Sequence, residues 1–344
     1  MGFRGATILL VLASCVSVGC QPPETTGPAS VILEAYGQTM GTTYMVKLAN
    51  PPDGLPDDWK IEVDAELRRV NDQMSTYLKS SELSQFNRST STDWFPVSAE
   101  TATVVAYALE VSKQSEGAFD VTVSPLVDAW SFGAGERTMQ VPEDDRIEEL
   151  LQRVGYQHLE VRVEPPALRK AIPALTVDLS AIAKGHGVDR VLQRLQALGC
   201  DNAFVEIGGE VRVLGDRGDR QWGVGVQQPD ADANEVLLAF PLTDMAVATS
   251  GDYRNFFEVD GQRFSHTIDP RTGQPVEHAL ASVSVGAGNC MMADAWATAI
   301  HVLGKEKGLA VAQRLGLDVL LIHREGERYE TVATGIFEPR NEDE

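Results

Sequence analysis

The sequence is organised around a stretch that begins Thr-Ser-Gly-Asp-Tyr-Arg at residues 249–254, continues as Ser-His-Thr-Ile-Asp-Pro-Arg-Thr-Gly at 265–273 and ends Asp-Ala-Trp-Ala-Thr at 294–298. It places reactive side chains beside turn-forming glycine and proline. If residues 293–303 form a helix, Asp294 and Thr298 stand one turn apart on one face. That carboxylate and hydroxyl can share a hard cation such as Mg²⁺. The alternative is an Asp that caps the helix and a Thr that only packs.

Two other residues have the chemistry that a group-transfer site needs. His266 is the candidate general base, because histidine titrates near neutral pH and can take a proton from an alcohol. Its sequence neighbours Asp269 and Arg271 are expected to tune it. Lys184 follows a predicted strand and opens a predicted helix, where an ammonium group can neutralise a diphosphate. A histidine satisfied within a turn and a surface lysine are the alternatives.

Four more residues are candidates for ligand contact. Asp178, beside the Lys184 loop, can accept hydrogen bonds from a ribose or a heterocycle, or can cap the following turn. Asp120 follows an aromatic residue in a strand-like context, where a buried carboxylate needs a partner. Tyr77 and Met40 offer ring stacking and thioether contact to a planar ligand, although such residues are more often part of a core.

The hydrophobic pattern predicts an α+β fold with mostly antiparallel sheets and inserted helices. Apolar residues three and four apart predict helices near residues 59–74, 98–117, 142–154, 188–199, 293–303 and 305–315. Apolar runs predict strands at 43–48, 159–163, 175–179, 203–207, 211–214, 222–226, 236–240, 245–248, 256–259, 281–285, 317–322 and 329–333. No linker divides residues 35–340, so they are predicted to form one two-lobed unit.

Composition and missing motifs exclude several classes of protein. The chain has 29 Lys and Arg against 50 Asp and Glu, a net charge of −21. Nucleic acid needs clustered basic residues, so it is not an expected partner. An anionic ligand would need a local cation rather than the bulk field. The spacings of a phosphate-binding P-loop, a zinc site and a serine-hydrolase elbow are absent.

The N-terminus matches a bacterial lipoprotein signal. Arg4 precedes an apolar run at residues 6–18, which is shorter than the roughly 20 residues of a spanning helix and predicts a signal peptide at 1–19. Cys20 is the predicted lipidation site, followed by a flexible tether at 20–34. Lipidation at Cys15 and secretion without a lipid are the alternatives. The two cysteines of the mature body can pair or stay as buried thiols; they are Cys200 and Cys290.

Ten motifs together resemble the ApbE family of FAD:protein FMN transferases, over residues 36–337. They are Met-Gly-Thr-Thr-Tyr at 40–44, Ser-x-Tyr at 75–77, Ser-Glu-Leu-Ser-x-Phe-Asn at 81–87, Gly-Ala-Phe-Asp-Val-Thr-Val at 117–123, Pro-Leu-Val-x-x-Trp at 125–130, Asp-Leu-Ser-Ala-Ile-Ala-Lys-Gly at 178–185, Glu-Ile-Gly-Gly-Glu at 206–210, Ser-Gly-Asp-Tyr-Arg at 250–254, His-Thr-Ile-Asp-Pro-Arg-Thr-Gly at 266–273 and Asp-Ala-Trp-Ala-Thr at 294–298. One departure is His186, where the family usually has Tyr.

The resemblance implies a T-fold-like structure with an FAD site lined by Met40, Tyr77, Ala118, Phe119, Asp120, Asp178, Lys184, His266 and Ile268. It also implies Mg²⁺ held by Asp294, Thr298 and the backbone carbonyl of Ala181. The implied activity is Mg²⁺-dependent cleavage of FAD, with FMN attached to a Thr or Ser hydroxyl of an acceptor protein and AMP released. His266 would take the proton of that hydroxyl.

The resemblance further implies where the protein works and with what. Its acceptors would be flavin-carrying subunits of membrane electron-transport complexes. Its place would be outside the cytoplasm of a bacterium, anchored by lipid to the periplasmic side of a membrane. Two other functions remain open from the sequence: an FAD pyrophosphatase that uses water as the nucleophile, and a non-catalytic flavin-binding lipoprotein.

Overall fold

The computed structural model describes residues 30–133, 138–229, 235–253, 255–326 and 328–339. The predicted signal peptide at 1–19, the candidate lipidation sites Cys15 and Cys20, and most of the tether lie outside these described residues. So does Arg254 of the Ser-Gly-Asp-Tyr-Arg motif. In the described part of the chain, no helix combines the length and the apolar character needed to cross a membrane.

Within the described ranges, the strands form one large antiparallel sheet and three small ones. They are β1 (Ile32–Thr39), β2 (Thr42–Ala49), β3 (Phe95–Pro96), β4 (Leu159–Val163), β5 (Pro166–Lys170), β6 (Ala203–Ile207), β7 (Glu210–Leu214), β8 (Trp222–Gln227), β9 (Val236–Leu242), β10 (Ala246–Gly251), β11 (Phe256–Val259), β12 (Gln262–Ser265), β13 (Leu280–Ala287), β14 (Asp318–Glu325) and β15 (Arg328–Ala333). The large sheet has the order β1-β2-β6-β7-β10-β13-β14-β15, with antiparallel pairs throughout. The predicted α+β class is confirmed.

Seven α-helices are inserted between these strands. They are α1 (Trp59–Met74), α2 (Glu82–Arg88), α3 (Ala99–Gln114), α4 (Ser124–Ala129), α5 (Asp144–Leu151), α6 (Ser180–Ala197) and α7 (Cys290–Leu315) in the described residues. The apolar residues that predicted α1 are all buried; they are Trp59, Val63, Leu67, Val70 and Met74. Ser98 caps α3, since its hydroxyl accepts the amide of Thr101.

The two long helices α6 and α7 pack on one face of the large sheet. Alternation along β6 shows the reason: Val205 and Ile207 face the helices, and Phe204 faces the β8–β9 hairpin on the other side. α7 was predicted as two helices, and Gly304 does break it, with φ 77°. Cys200 and Cys290 are both buried as free thiols.

The sequence prediction was wrong at residues 175–179, which form no strand. Their backbone groups bind side chains and a loop instead of a neighbouring strand. Asn87 exchanges two hydrogen bonds of 2.8 Å with the backbone of Val177, and the buried Lys170 ammonium donates to the carbonyl of Leu175. An apolar run predicts burial but not whether a partner strand is present. The sequence analysis also predicted no helix at α2 or α4 and no strand at β1, β3, β5 or β12.

Candidate active site

A cavity of about 960 Å³ opens where the beginning of α6, the β6–β7 turn and the middle of α7 meet. Of the twelve residues predicted for the site, eleven line it: Tyr77, Ala118, Phe119, Asp120, Asp178, Ala181, Lys184, His266, Ile268, Asp294 and Thr298. Met40 is not among the lining residues. Its Cε instead lies over Gly187 of α6, where an added Cβ would come within 2.9 Å of it.

The crossing of α6 and α7 brings the predicted metal ligands to one wall. Gly185 makes the close approach possible, because a Cβ there would lie 2.3 Å from the carbonyl oxygen of Cys290. Its amide donates to Oδ2 of Asp294 at 2.9 Å. In a regular helix the same amide would bind the carbonyl of Ala181 alone. Asp294 therefore competes for that donor, which leaves the Ala181 carbonyl oxygen more available to a ligand.

A buried cluster of charges occupies the same wall. Nζ of Lys184 lies 2.5 Å from Oε1 of Glu210 and 3.7 Å from Oδ1 of Asp294. Burial alone would lower the pKa of Lys184, but the two carboxylates outweigh it and the pKa is raised. Burial raises the pKa of Glu210 to about 7 and also raises that of Asp294, against the pull of the ammonium group. Lys184 does not open its helix as predicted: it is the fifth residue of α6.

His266 is held as a neutral base. Its Nδ1 lies 3.2 Å from the carbonyl oxygen of Asn255, which accepts only, so Nδ1 carries the proton and Nε2 keeps a lone pair. Burial lowers the pKa of His266 and keeps the ring uncharged near neutral pH. The expected tuning by Asp269 and Arg271 is wrong, because these two residues form a two-bond ion pair with each other.

The two other predicted carboxylates hold loops in place. Asp120 lies in a turn rather than a strand, and accepts the amide and hydroxyl of Thr122 and the amide of Tyr156. These bonds fix the loop that carries Ala118 and Phe119 into the cavity. Asp178 accepts the amide of Ser180 at 2.8 Å, as the capping alternative expects. Both still line the cavity wall.

The sequence analysis gave no role to His301, which lies behind two residues that line the cavity. His301 is fully buried, and its Nδ1 lies 3.3 Å from the hydroxyls of Ser250 and Thr267, which both line the cavity. Its Nε2 lies 3.0 Å from the carbonyl oxygen of Leu280. Burial lowers the pKa of His301 to about 4, so it is a neutral acceptor for those hydroxyls. A histidine seven residues after Asp294 on α7 was the available signal.

His186, the departure from the family pattern, is not among the residues that line the cavity. It is 8% exposed, and burial lowers its pKa to about 4. Its Nε2 has no hydrogen-bond partner among the described residues. The departure therefore falls outside the lining of the cavity.

The residues at the α6–α7 crossing fit a hard divalent cation. A carboxylate, a hydroxyl and a backbone carbonyl are the oxygen donors that Mg²⁺ prefers. Two buried carboxylates, Glu210 and Asp294, share the single ammonium group of Lys184 there, and Oε2 of Glu210 has no partner among the described residues. No group of three or more His, Cys, Asp or Glu residues is placed to hold a metal in the described ranges. The candidate set instead combines Asp294 with uncharged oxygen donors.

The chain is similar to known proteins over most of its length. Residues 40–321 match the model of the ApbE family. The chain is 44% identical over 335 residues to an FAD:protein FMN transferase of Vibrio cholerae serotype O1, covering 96% of this chain and 98% of that protein. It is 36% identical over 331 residues to an FAD:protein FMN transferase of Escherichia coli strain K12, covering 94% of each.

Solved structures show the same fold. The flavin transferase ApbE from Vibrio cholerae superposes with a TM-score of 0.83 at 42% identity, covering 90% of this chain and 98% of that one. An ApbE protein from Thermotoga maritima superposes with a TM-score of 0.81 at 29% identity, covering 90% and 100%. The family model, the full-length relatives and the shared fold show that this chain belongs to the ApbE family.

Proposed function

We propose that this protein cleaves FAD in a Mg²⁺-dependent reaction and attaches FMN to a Thr or Ser hydroxyl of an acceptor protein, releasing AMP. The observation that carries the proposal is the convergence of an ammonium group, a neutral imidazole and three oxygen donors on one cavity. Its volume of about 960 Å³ is at the upper end for ligand sites, as a dinucleotide requires. The names of the relatives describe the same transfer.

The reaction is a phosphoryl-type transfer at the FMN phosphorus of FAD. The acceptor oxygen forms a bond to this phosphorus, the bond from phosphorus to the bridging diphosphate oxygen breaks, and AMP leaves with that oxygen. Nε2 of His266 takes the proton of the acceptor hydroxyl. Lys184 lies on the wall where charge develops on the leaving group, and its ammonium stabilises that charge.

Mg²⁺ held by Asp294, Thr298 and the Ala181 carbonyl would neutralise charge on the diphosphate oxygens. The part of the protein itself is to keep these three donors fixed on two helices in close contact, so that little reorganisation is needed during the reaction. The flavin ring is expected beside Phe119 and Tyr77. Tyr77 is 72% exposed at the cavity, so a planar ligand can bury that ring by stacking.

The proposal extends to where the protein acts. The lipoprotein-type signal before Cys20 supports an anchor on the periplasmic side of a bacterial membrane. An enzyme tethered there would meet flavin-accepting subunits of membrane electron-transport complexes, which we propose as its acceptors. The strongly acidic composition supports the absence of nucleic acid among its partners.

The test is the intact mass of a candidate acceptor after incubation with the protein, FAD and Mg²⁺. The proposal predicts a gain of one FMN on the acceptor and one AMP released for each FMN attached. The matched control is an acceptor with its Thr changed to Val, which should gain no mass. AMP release without any mass gain would mean an FAD pyrophosphatase, and FAD binding without AMP would mean a non-catalytic binder.

A further inference from the structure

Glu210 is a buried carboxylate on the cavity wall that the proposed reaction leaves without a role. It begins β7 directly after the Gly208-Gly209 turn and is 3% exposed. Its Oε1 accepts a hydrogen bond from Lys184, whereas its Oε2 is buried without a partner among the described residues. An unpaired buried carboxylate oxygen costs stability, so its presence points to a function at this wall.

The charge of the wall depends on Glu210. Lys184 lies between Glu210 and Asp294, at 2.5 Å and 3.7 Å. Two carboxylates and one ammonium sum to about −1, so the wall repels an anion that arrives alone. A diphosphate that carries a divalent cation meets no such repulsion. Without Glu210, the charges of Lys184 and Asp294 would cancel and the wall would accept a bare diphosphate.

We propose that Glu210 makes FAD binding conditional on the divalent cation, by keeping the wall negative until that cation is present. The inference rests on the proposed function, since it takes the diphosphate of FAD as the ligand of this wall. Glu210 acts as a specificity-determining residue that rejects one state of the ligand. A Glu210 that only oriented Lys184 would strengthen FAD binding with and without the cation.

The test is the ratio of two FAD dissociation constants, one measured in EDTA and one in Mg²⁺, on flavin-free protein. At pH 8 the Glu210 carboxylate is ionised, because its pKa is about 7. We expect a ratio of about ten or more in the wild type. In Glu210→Gln the ratio should fall about fivefold or more, because FAD binds more tightly in EDTA once a unit charge is removed from a buried site.

Two further variants give the comparison its controls. Glu206→Gln makes the same change in the same hairpin and cavity, but Glu206 binds the amide of Gly209. This residue is half-buried, so solvent screens it and the ratio should stay within about twofold. Lys184→Met removes the positive charge from the wall, so the ratio of the FAD dissociation constants in EDTA and in Mg²⁺ should rise. This variant tests the inference even if Glu210→Gln does not fold.

The outcomes separate the inference from the proposed function. Two results for Glu210→Gln would overturn the role of Glu210: weaker FAD binding in EDTA, or a ratio equal to that of the wild type. An unchanged ratio in Lys184→Met would overturn it as well. If the wild-type protein transfers FMN to an acceptor and one of these results is obtained, the inference is overturned and the proposed function stands. A wild-type ratio near one would overturn the inference. The metal dependence of the proposed function would be overturned only by transfer and AMP release that proceed equally well without Mg²⁺.

Discussion

Asp294 uses its two carboxylate oxygens differently. Oδ2 accepts the Gly185 amide and ties α7 to α6, whereas Oδ1 faces Lys184 at 3.7 Å, beyond a direct hydrogen bond. Its raised pKa shows that burial is only partly offset by the ammonium group. These features suit a carboxylate that holds a cation more than one that only caps a helix.

Asp294→Asn should remove Mg²⁺-dependent AMP release while the fold is kept. The amide has the same shape and can still accept the Gly185 N–H, but it lacks the charge that binds the cation. Because a catalytic metal is worth several kcal/mol, transfer should fall by about 10²-fold or more. The measurement is AMP release against Mg²⁺ concentration.

Asp189→Asn is the matched control for that variant. Asp189 accepts the amides of Cys290 and Met291 at 2.9 Å each and so caps α7, but it does not line the cavity. Its loss should lower the melting temperature and leave the Mg²⁺ response unchanged. Normal Mg²⁺-dependent transfer in Asp294→Asn would show that the metal assignment is wrong.

His266→Ala should separate catalysis from binding. Loss of a general base lowers the transfer rate by about 10²–10⁴-fold. FAD affinity should be retained, because Lys184 and Asp294, the proposed contacts of the diphosphate and its cation, are unchanged. Rates and FAD affinity are measured on the same preparation. His323→Ala, a histidine of β14 outside the cavity lining, should change neither quantity. Equal loss of binding and rate would make His266 a ligand contact instead.

Residue types and spacing singled out eight of the twelve predicted site residues, and seven of those eight line the cavity. The other four, Ala118, Phe119, Ala181 and Ile268, came only from the family resemblance. Asp294 and Thr298 follow from helical periodicity, and His266 from its place in a turn-rich motif. Glu210 and His301 were not predicted because their roles depend on contacts from distant segments. Lys184 is 26 residues before Glu210, and Thr267 is 34 residues before His301. Spacing within one element carries no information about such contacts.

At the scale of elements, the site depends on how closely α6 and α7 approach. A side chain at Gly185 would meet the backbone carbonyl of Cys290, which cannot move away without shifting α7. Gly187 is two residues further along the same helix. A Cβ there would meet side-chain ends rather than backbone, with Cε of Met40 and a methyl of Ile207 nearest. Both glycines lie inside α6, so the difference between them is the neighbouring group: backbone at Gly185 and flexible side chains at Gly187.

Gly185→Ala and Gly187→Ala form a matched pair. Each alanine gains about 1 kcal/mol of helix propensity. At Gly185 overpacking against backbone should exceed this gain, giving a net loss of about 1–3 kcal/mol in the free energy of unfolding. Gly187→Ala should be nearly neutral. Urea unfolding measures both, and equal stabilities would contradict the close crossing of the helices.

The elements themselves were largely predictable from the sequence. Period-2 and period-3.6 patterns located α1, α3, α6 and the strands around the hairpin turn at 208–209. The error at 175–179 has a physical cause: the run is fully apolar at Leu175, Val177 and Leu179, but side chains rather than a strand satisfy its backbone. The order of strands in the large sheet was not predicted, because hydrophobic pattern does not specify partners.

At the scale of the whole molecule, buried neutral histidines should make the fold sensitive to acid. The pKa of His301 is about 4 in the folded chain and 6.5 when exposed, so below pH 6.5 the unfolded state binds the proton first. Stability is complete above pH 6.5 and is lost as the pH falls towards 4. Between pH 7.5 and 5 this histidine alone should cost about 2 kcal/mol.

The measurement is denaturant unfolding of metal-free protein at pH 7.5 and at pH 5. His301→Gln can still donate to the carbonyl of Leu280, but it does not titrate. This variant should be less stable than the wild type at pH 7.5 and should lose less stability at pH 5. Equal losses in the two proteins would mean that other groups cause the sensitivity to acid.

The proposed lipid anchor is tested at Cys15 and Cys20, the two cysteines near the N-terminus. Cys20→Ser should release the protein from the membrane fraction of a lipoprotein-processing bacterium, because serine cannot accept the lipid through a thioether. Cys15→Ser should leave the protein membrane-bound with the intact mass of a lipidated chain that begins at residue 20. The reverse pattern would assign the lipid to Cys15.

The most direct test of the account is an experimental structure of the protein with FAD and Mg²⁺. We predict the cation on Asp294, Thr298 and the carbonyl oxygen of Ala181, the diphosphate beside Lys184, and Nε2 of His266 facing the FMN phosphorus. FAD bound outside this cavity, or with its diphosphate away from the crossing of α6 and α7, would contradict the account.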